Sequence, residues 1–454
     1  MWNLYNKRIR MMKNVLTALL LFSACALAQP GPTSVAIRNV KIVTVSGPAI
    51  EKGTVVLRDG LIEAVGPSVT VPADAMVIEG EGLTVYPGLI DALSTWGMPA
   101  TAAAAANGRG GRGAAAAAPA EPRAWGPEDR PQTTSWIKAA DVVQPNDRRF
   151  EAARSAGFTT AVVFPTAGIF GGQGSIINLA GDKESNMVLV PSAGQYIAMH
   201  TSPFGAGFPS ALMGVISYVR QIYLDADHYQ ALKAAYARDP RGMKRPEYDR
   251  ALEGVIESKR ILLPANRWTE VERMVRFGAE LKQPTILYGM RQGFDPRALD
   301  HLKVKNTPVL VSLKWPEAAR DTNPDEVETL RVLEDRAKAP TAPAALKQAG
   351  VAFAFYSDGI DQTRELERAV KKAIDNGLSR DQAVRALTLS AAEIYGVADR
   401  LGSIEKGKIA NLVVTRGEIF EDRTKVEMVF IDGVKHTPAP EPAGRGGATT
   451  ENRK

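Results

Sequence analysis

The sequence predicts an α/β protein: a strand–helix repeat inserted into a smaller β-unit whose strands come from both ends of the chain. Three observations carry this reading. Short strand patterns with tight turns cluster near both termini. Between them, apolar runs alternate with helical patterns. The 454 residues, 45% hydrophobic and 23% charged, suffice for one large domain and a smaller one.

The chain opens on a basic stretch followed by the apolar run Val15 to Ala28. That run is too short to span a bilayer, and Ala26-Leu27-Ala28 fits a signal-peptidase exit. Residues 1–28 therefore read as a signal peptide. The protein reads as exported, periplasmic or secreted, with no transmembrane span. Met11 or Met12 is as good a start as Met1. Cys25 is the only cysteine, and "FSAC" is a weak lipoprotein signal that would anchor the chain there. Cleavage after Ala28 leaves neither disulfide nor thiol. The leader holds Lys7, Arg8, Arg10 and Lys13 and no acid, so it carries four of the six net positive charges and leaves +2 for the rest. No nucleic-acid partner follows from so small a charge.

Val35, Ile37, Val40 and Ile42 come in near alternation, as in a half-buried strand. Asp59-Gly60 then marks a hairpin turn, and "AMVIEGEGLTVYPG" adds further strand. A similar piece returns at the other end, with a turn at Asp432-Gly433. Neither half can bury its faces alone. Residues 33–86 and 402–437 are therefore expected to form one composite β-sandwich.

Residues 87–401 alternate strands and helices. "GFTTAVVFP", "ILLPAN", "PTILYG", "TPVLVSLKW" and "VAFAFYSDG" are apolar without alternation, which suits parallel strands buried on both faces. After the last, Leu366, Val370, Ala373 and Ile374 form one helical face, Asn376-Gly377 closes it, and Ser379 with Gln382 forms a capping box for the next helix. The repeat suits a (β/α)8 barrel or a doubly wound open sheet; no Gly-rich fingerprint follows the first strand. Residues 100–124 are a low-complexity Ala/Gly/Pro insertion, and 438–454 a Pro/Gly/polar tail read as disordered.

Four motifs carry a family resemblance: "GLTVYPGLIDA", "GFTTAVVFP", "FYSDG" and "ALTLSAAEIYGVADRLGSIEKGKIANLVV". The chain resembles the metal-dependent amidohydrolase superfamily, nearest its imidazolonepropionase-like members. The last run departs at Asn411, where the resemblance leads to an acid. The resemblance implies a (β/α)8 TIM-like barrel inserted in a composite β-sandwich. It also implies one or two divalent metals such as zinc at the barrel mouth, and hydrolysis of non-peptide C–N bonds in cyclic amides or of small peptides.

Such enzymes hold the metal on two histidines after the first strand, histidines on the fifth and sixth, and an aspartate on the eighth. This chain has Leu93 and Thr95, Pro264, and Gly289 at the first four of these positions. Only Asp358 is retained. Leucine has no lone pair to give, a neutral hydroxyl is a poor zinc ligand, and zinc sites use at least three protein ligands. The expectation is that no metal cofactor binds, unless Asp358, Asp91 and His200 rebuild a site. Asp358 remains the candidate catalytic residue.

Candidate ligand contacts are Gly172 and Gln173 in the Gly-rich stretch Gly168 to Gly181, whose N–H groups suit an anion unless its glycines serve only turns. Asn266, Arg267, Tyr288 and Arg291 join them at presumed C-terminal strand ends. Ser94 and Thr95 lack an adjacent base to make either a nucleophile. The expected protein is an exported, metal-site-deficient accessory or ligand-binding homologue. It would bind a small molecule and form a homo-oligomer or a complex with an intact paralogue. The alternative is an active amidohydrolase with an atypical site.

Overall fold

The computed structural model describes residues 34–99, 130–201, 208–318, 327–360, 362–421 and 424–438. The stretch read as a signal peptide, the insertion at 100–124 and all of the tail beyond 438 lie outside the described residues. The chain begins with β1 (Ser34–Ile42), β2 (Ile50–Arg58), β3 (Leu61–Gly66), β4 (Met76–Glu79) and β5 (Leu83–Pro87). It continues through β6 (Leu89–Ser94), β7 (Phe158–Val163), β8 (Phe170–Asn178), β9 (Val188–Ile197), β10 (Ile261–Ala265), β11 (Thr285–Gly289), β12 (Val309–Ser312) and β13 (Phe353–Tyr356). It closes with β14 (Leu412–Arg416), β15 (Lys425–Ile431) and β16 (Val434–His436).

The terminal strands make one eight-stranded sheet in the order β16-β15-β14-β5-β1-β2-β3, with β4 also paired to β1. The expected sandwich is thus a single sheet folded over on itself. Val55 and Leu57 of β2 share a core with Met428 and Phe430 of β15, although those strands are far apart in the ladder. The two halves join where β5 pairs antiparallel with β14. Both anticipated hairpin turns form: Asp59 and Gly60, like Asp432 and Gly433, have positive φ, the type I′ conformation that Asn/Asp-Gly pairs favour. The turns touch. A Cβ on Gly60 would lie 2.7 Å from Asp432 Oδ1, so the close approach needs glycine there.

The middle of the chain forms the second eight-stranded sheet, in the order β6 to β13. Leu262, Ile286, Leu310 and Ala354 fill its inside with Ile90, Ala92, Val162 and Ile176. Their counterparts on the outer face pack under the helices. This is the expected barrel with one difference: β8 runs antiparallel to both neighbours. Seven strands are parallel, and the eighth is the glycine-rich stretch. Its glycines serve close packing, since a Cβ on Gly174 would meet the Phe164 ring at 2.2 Å. The helix after β13 has the expected face, with Ile374 only partly buried, and the capping at Ser379 is a single bond. Leu366, Val370 and Ala373 of Thr363–Asp375 are buried, and Ser379 caps the next helix through the Gln382 N–H.

The sheet's two ends, β6 and β13, lie side by side. Asp91 stitches that seam. Its carboxylate accepts from the Ser357 N–H at 2.9 Å and from Ser357 Oγ at 2.5 Å. At the other end of the barrel, Asn411 ties the β-unit to the strands. Its amide donates to Asn178 Oδ1 at 2.7 Å and Thr160 Oγ1 at 3.0 Å, and its carbonyl accepts from Asp432 N. An acid at 411 could accept but not donate, which accounts for asparagine at this position. No helix among the described residues is long and apolar enough to cross a membrane.

Candidate functional site

The parallel strands converge on a cavity of about 270 Å³ lined by Leu93, Ser94, Thr95, Thr166, Tyr196, His200, Asp358 and Gly359. Asp358 lies just past β13, half-buried, with φ +51°. Its Oδ2 accepts from Ser312 Oγ at 2.7 Å, and Ser312 Oγ in turn accepts from Lys314 N at 3.0 Å. The serine proton is thus committed to the carboxylate. Ser312 lies in register with Tyr356 on the neighbouring strand.

Three tyrosines gather near this corner. The rings of Tyr196 and Tyr288 stack at 5.3 Å, and Tyr288 Oη donates to Ile197 O at 3.2 Å. Burial above all, with the Asp358 charge adding to it, raises the pKa of Tyr196, Tyr288 and Tyr356. All three phenols therefore stay protonated near neutral pH. Thr95 is held from the side: Arg149 donates to its carbonyl at 2.9 Å and reaches its hydroxyl at 3.4 Å, while paired with Asp147.

The family's metal does not fit this donor set. Leu93 lies in β6 and Thr95 one residue past its end, and both line the cavity. By count around the sheet, β10 is the fifth strand and β11 the sixth. Pro264 shares the register of Leu262 and faces inward with Tyr288. Gly289 needs correction as a ligand position. Its φ is +111°, and a Cβ there would lie 2.6 Å from Asn266 Oδ1, so Tyr288 is the residue that looks into the barrel. The rebuilt site fails as well. His200 is at the cavity's exposed edge, but Asp91 is fully buried on the seam with both oxygens bonded to Ser357. Among the described residues, no three His, Cys, Asp or Glu side chains come together as a metal site.

Other candidates separate. Arg291 is exposed and bears electrostatically on Tyr356, close to the Asp358 corner. Arg267 lines a different cleft of about 510 Å³ with Trp268, Arg297, Arg331, Asp335 and Lys338. Asn266 packs under Gly289. Gly172 and Gln173 are corrected: both are buried in β8. The Gln173 N–H donates to Ile137 O, its side-chain amide donates to Gly254 O, and its Oε1 accepts from Ser192. No free N–H of Gln173 remains for an anion.

Tyr196, Tyr356, Ser312 and Thr166 escaped the sequence reading. One signal existed. In "FYSDG", strand alternation puts Tyr356 on the same side as Asp358.

Comparison with known proteins agrees with this architecture. Residues 263–435 match the amidohydrolase family model. An amidohydrolase from Thermotoga maritima aligns with 89% of this chain and all of its own, at a TM-score of 0.71 and 23% identity. Molinate hydrolase aligns over 89% of this chain and 95% of its own, at 0.52 and 15%. A putative prolidase from Bifidobacterium longum does so over 91% and 97%, at 0.51 and 16%. An adenine deaminase from Moorella thermoacetica is 34% identical over 71 residues, which span 16% of this chain and only 11% of the deaminase. The family match falls on β10 to β16, and the likeness to these solved structures extends the same fold over the whole barrel.

Proposed function

We propose that this chain is an exported member of the superfamily whose barrel mouth binds a small molecule without a metal. It acts beside a second copy or an intact relative, not as a metallohydrolase by itself. The observation that carries this reading is the donor set. Where the family's metal would sit, the mouth offers one carboxylate, one imidazole at its exposed edge, a threonine hydroxyl engaged by Arg149, and neutral phenols, short of the three His, Cys, Asp or Glu side chains of a metal site among the described residues. Imidazole and carboxylate lone pairs are what zinc requires.

Elemental analysis of the purified protein tests it. The expected zinc content is well below one per chain, and EDTA leaves the melting curve unchanged. A bound metal would stabilise the fold by about 4 kcal/mol at a thousandfold excess over Kd. One tightly bound divalent ion per chain therefore sinks the reading. Export predicts a mature N-terminus at Gln29, checked by N-terminal sequencing; a lipid-modified Cys25 would show anchoring instead.

A second reading is an active amidohydrolase working through an atypical site. It draws on the 71-residue likeness to an adenine deaminase and on Asp358 and His200 sharing the cavity. Loss of adenine's ultraviolet absorbance on incubation, abolished by Asp358→Asn, would favour it.

A further inference from the structure

We infer that the ligand of the barrel mouth carries a cationic nitrogen, paired with the Asp358 carboxylate in the cavity walled by Leu93, Thr166 and Tyr196. This rests on the ligand-binding reading above and names its ligand class.

The lining residues with polar side chains are Ser94, Thr95, Thr166, Tyr196, Asp358 and, at the edge, His200; the Ser94 hydroxyl is already bonded to the Trp96 N–H and to Asp91. Neither lysine nor arginine is among the lining residues. Asp358 receives one hydrogen bond, from Ser312, and makes no ion pair among the described residues. A half-buried carboxylate left without a counter-charge is unfavourable, so a cationic ligand gains where an anionic one is repelled.

The neighbouring cations are otherwise engaged or outside. Arg149 is bound to Asp147 and to the carbonyls of Thr95 and Met98. Arg291 is exposed and does not line the cavity. Lys314 is exposed and meets this corner through its backbone N–H. An ammonium group needs acceptors, and hydroxyls and a carboxylate supply them. The cavity of about 270 Å³ has the volume of about nine waters, which suits a small amine.

Calorimetric titration with n-butylammonium, n-butanol and butyrate tests the class. Butylammonium is expected to bind, with the alcohol and the acid at least about tenfold weaker. Asp358→Asn should weaken the amine by about tenfold or more and leave butanol unchanged. That variant keeps an acceptor for Ser312, so it should fold, and its melting curve verifies this. Butanol or butyrate binding as well as the amine, or an amine affinity untouched by Asp358→Asn, overturns the cationic class while the ligand-binding reading stands. Absence of amine binding at millimolar concentration overturns it too. Stoichiometric zinc would instead overturn the metal-free reading beneath it.

Discussion

The foot and the mouth of the barrel each hold a buried polar cluster, and the two are finished differently. At the foot, Asn411, Asn178, Thr160 and the Asp432 N–H satisfy one another within the protein. At the mouth, Asp358 has one hydroxyl for a partner and opens onto a cavity. Buried polar groups are normally paired, and pairing is what makes them stabilising. The foot therefore reads as structure; on the function proposed above, the mouth is where stability is given up for a ligand, at the face where such barrels build their sites. If the contrast is real, cutting the foot must cost far more than cutting the mouth.

Asp91 sits between the two, partnered like the foot and acidic like the mouth. Burial raises its pKa to about 7 despite the Ser357 bonds. An unfolded aspartate titrates near 4. Between about pH 4 and pH 7 the folded chain thus holds a proton that the unfolded chain has released. Stability must fall as pH rises through that window, by on the order of 4 kcal/mol in all. Asp91→Asn removes the charge, keeps an acceptor for the Ser357 N–H, and should flatten the slope. Urea midpoints from pH 4 to pH 8 measure both proteins. Parallel slopes would show that Asp91 stays ionised and that the seam is an ordinary hydrogen bond.

Cutting the foot comes next in size. Asn411→Ala leaves Asn178 Oδ1 and the Asp432 N–H without their partner in a site that is 5% exposed or less at Asn411, Asn178 and Thr160. Orphaning buried groups costs about 1–3 kcal/mol each, so a loss of roughly 3 kcal/mol in urea unfolding is expected. Asn411→Asp should lose part of that, because it accepts but cannot donate.

The architecture was legible because it is written in periodicity. Apolar runs gave β10 to β13, Asp-Gly pairs gave both hairpins, and Leu366, Val370 and Ala373 gave a helix face. The reversal of β8 was not legible. Its glycines read as a loop or as turns; the close approach of Pro165 O to Gly171, of Ile137 O to Gly172 and of the Phe164 ring to Gly174 explains them as strand. The mouth was half legible. A ligand's absence can be read from a leucine or proline at a motif position. Which residues replace it depends on register, and a one-residue shift exchanges Gly289 for Tyr288.

That shift supplies a third test. Gly289→His meets both a positive φ and Asn266, so it should destabilise by roughly 1–3 kcal/mol and bring no metal. Tyr288→His places an imidazole on the inner face and should cost less, though it gives up a stack with Tyr196. Equal melting temperatures for the two would reverse the assignment of which residue faces the barrel.

The smallest effect is expected at the mouth itself, and it decides the comparison. Asp358→Asn keeps the size of the side chain and the acceptor that Ser312 requires. What it removes is a negative charge with no cation paired to it, in a position half-shielded from water. Residues shaped for binding are often suboptimal for stability. The variant should therefore lie within about 1 kcal/mol of the parent, and on the stable side if it departs at all. Thermal and urea unfolding, run beside Asn411→Ala under one buffer, give the two numbers directly. A loss at Asp358 as large as that at Asn411 would mean that the carboxylate holds the barrel together. The mouth would then be a second foot, and the case for a ligand there would go with it.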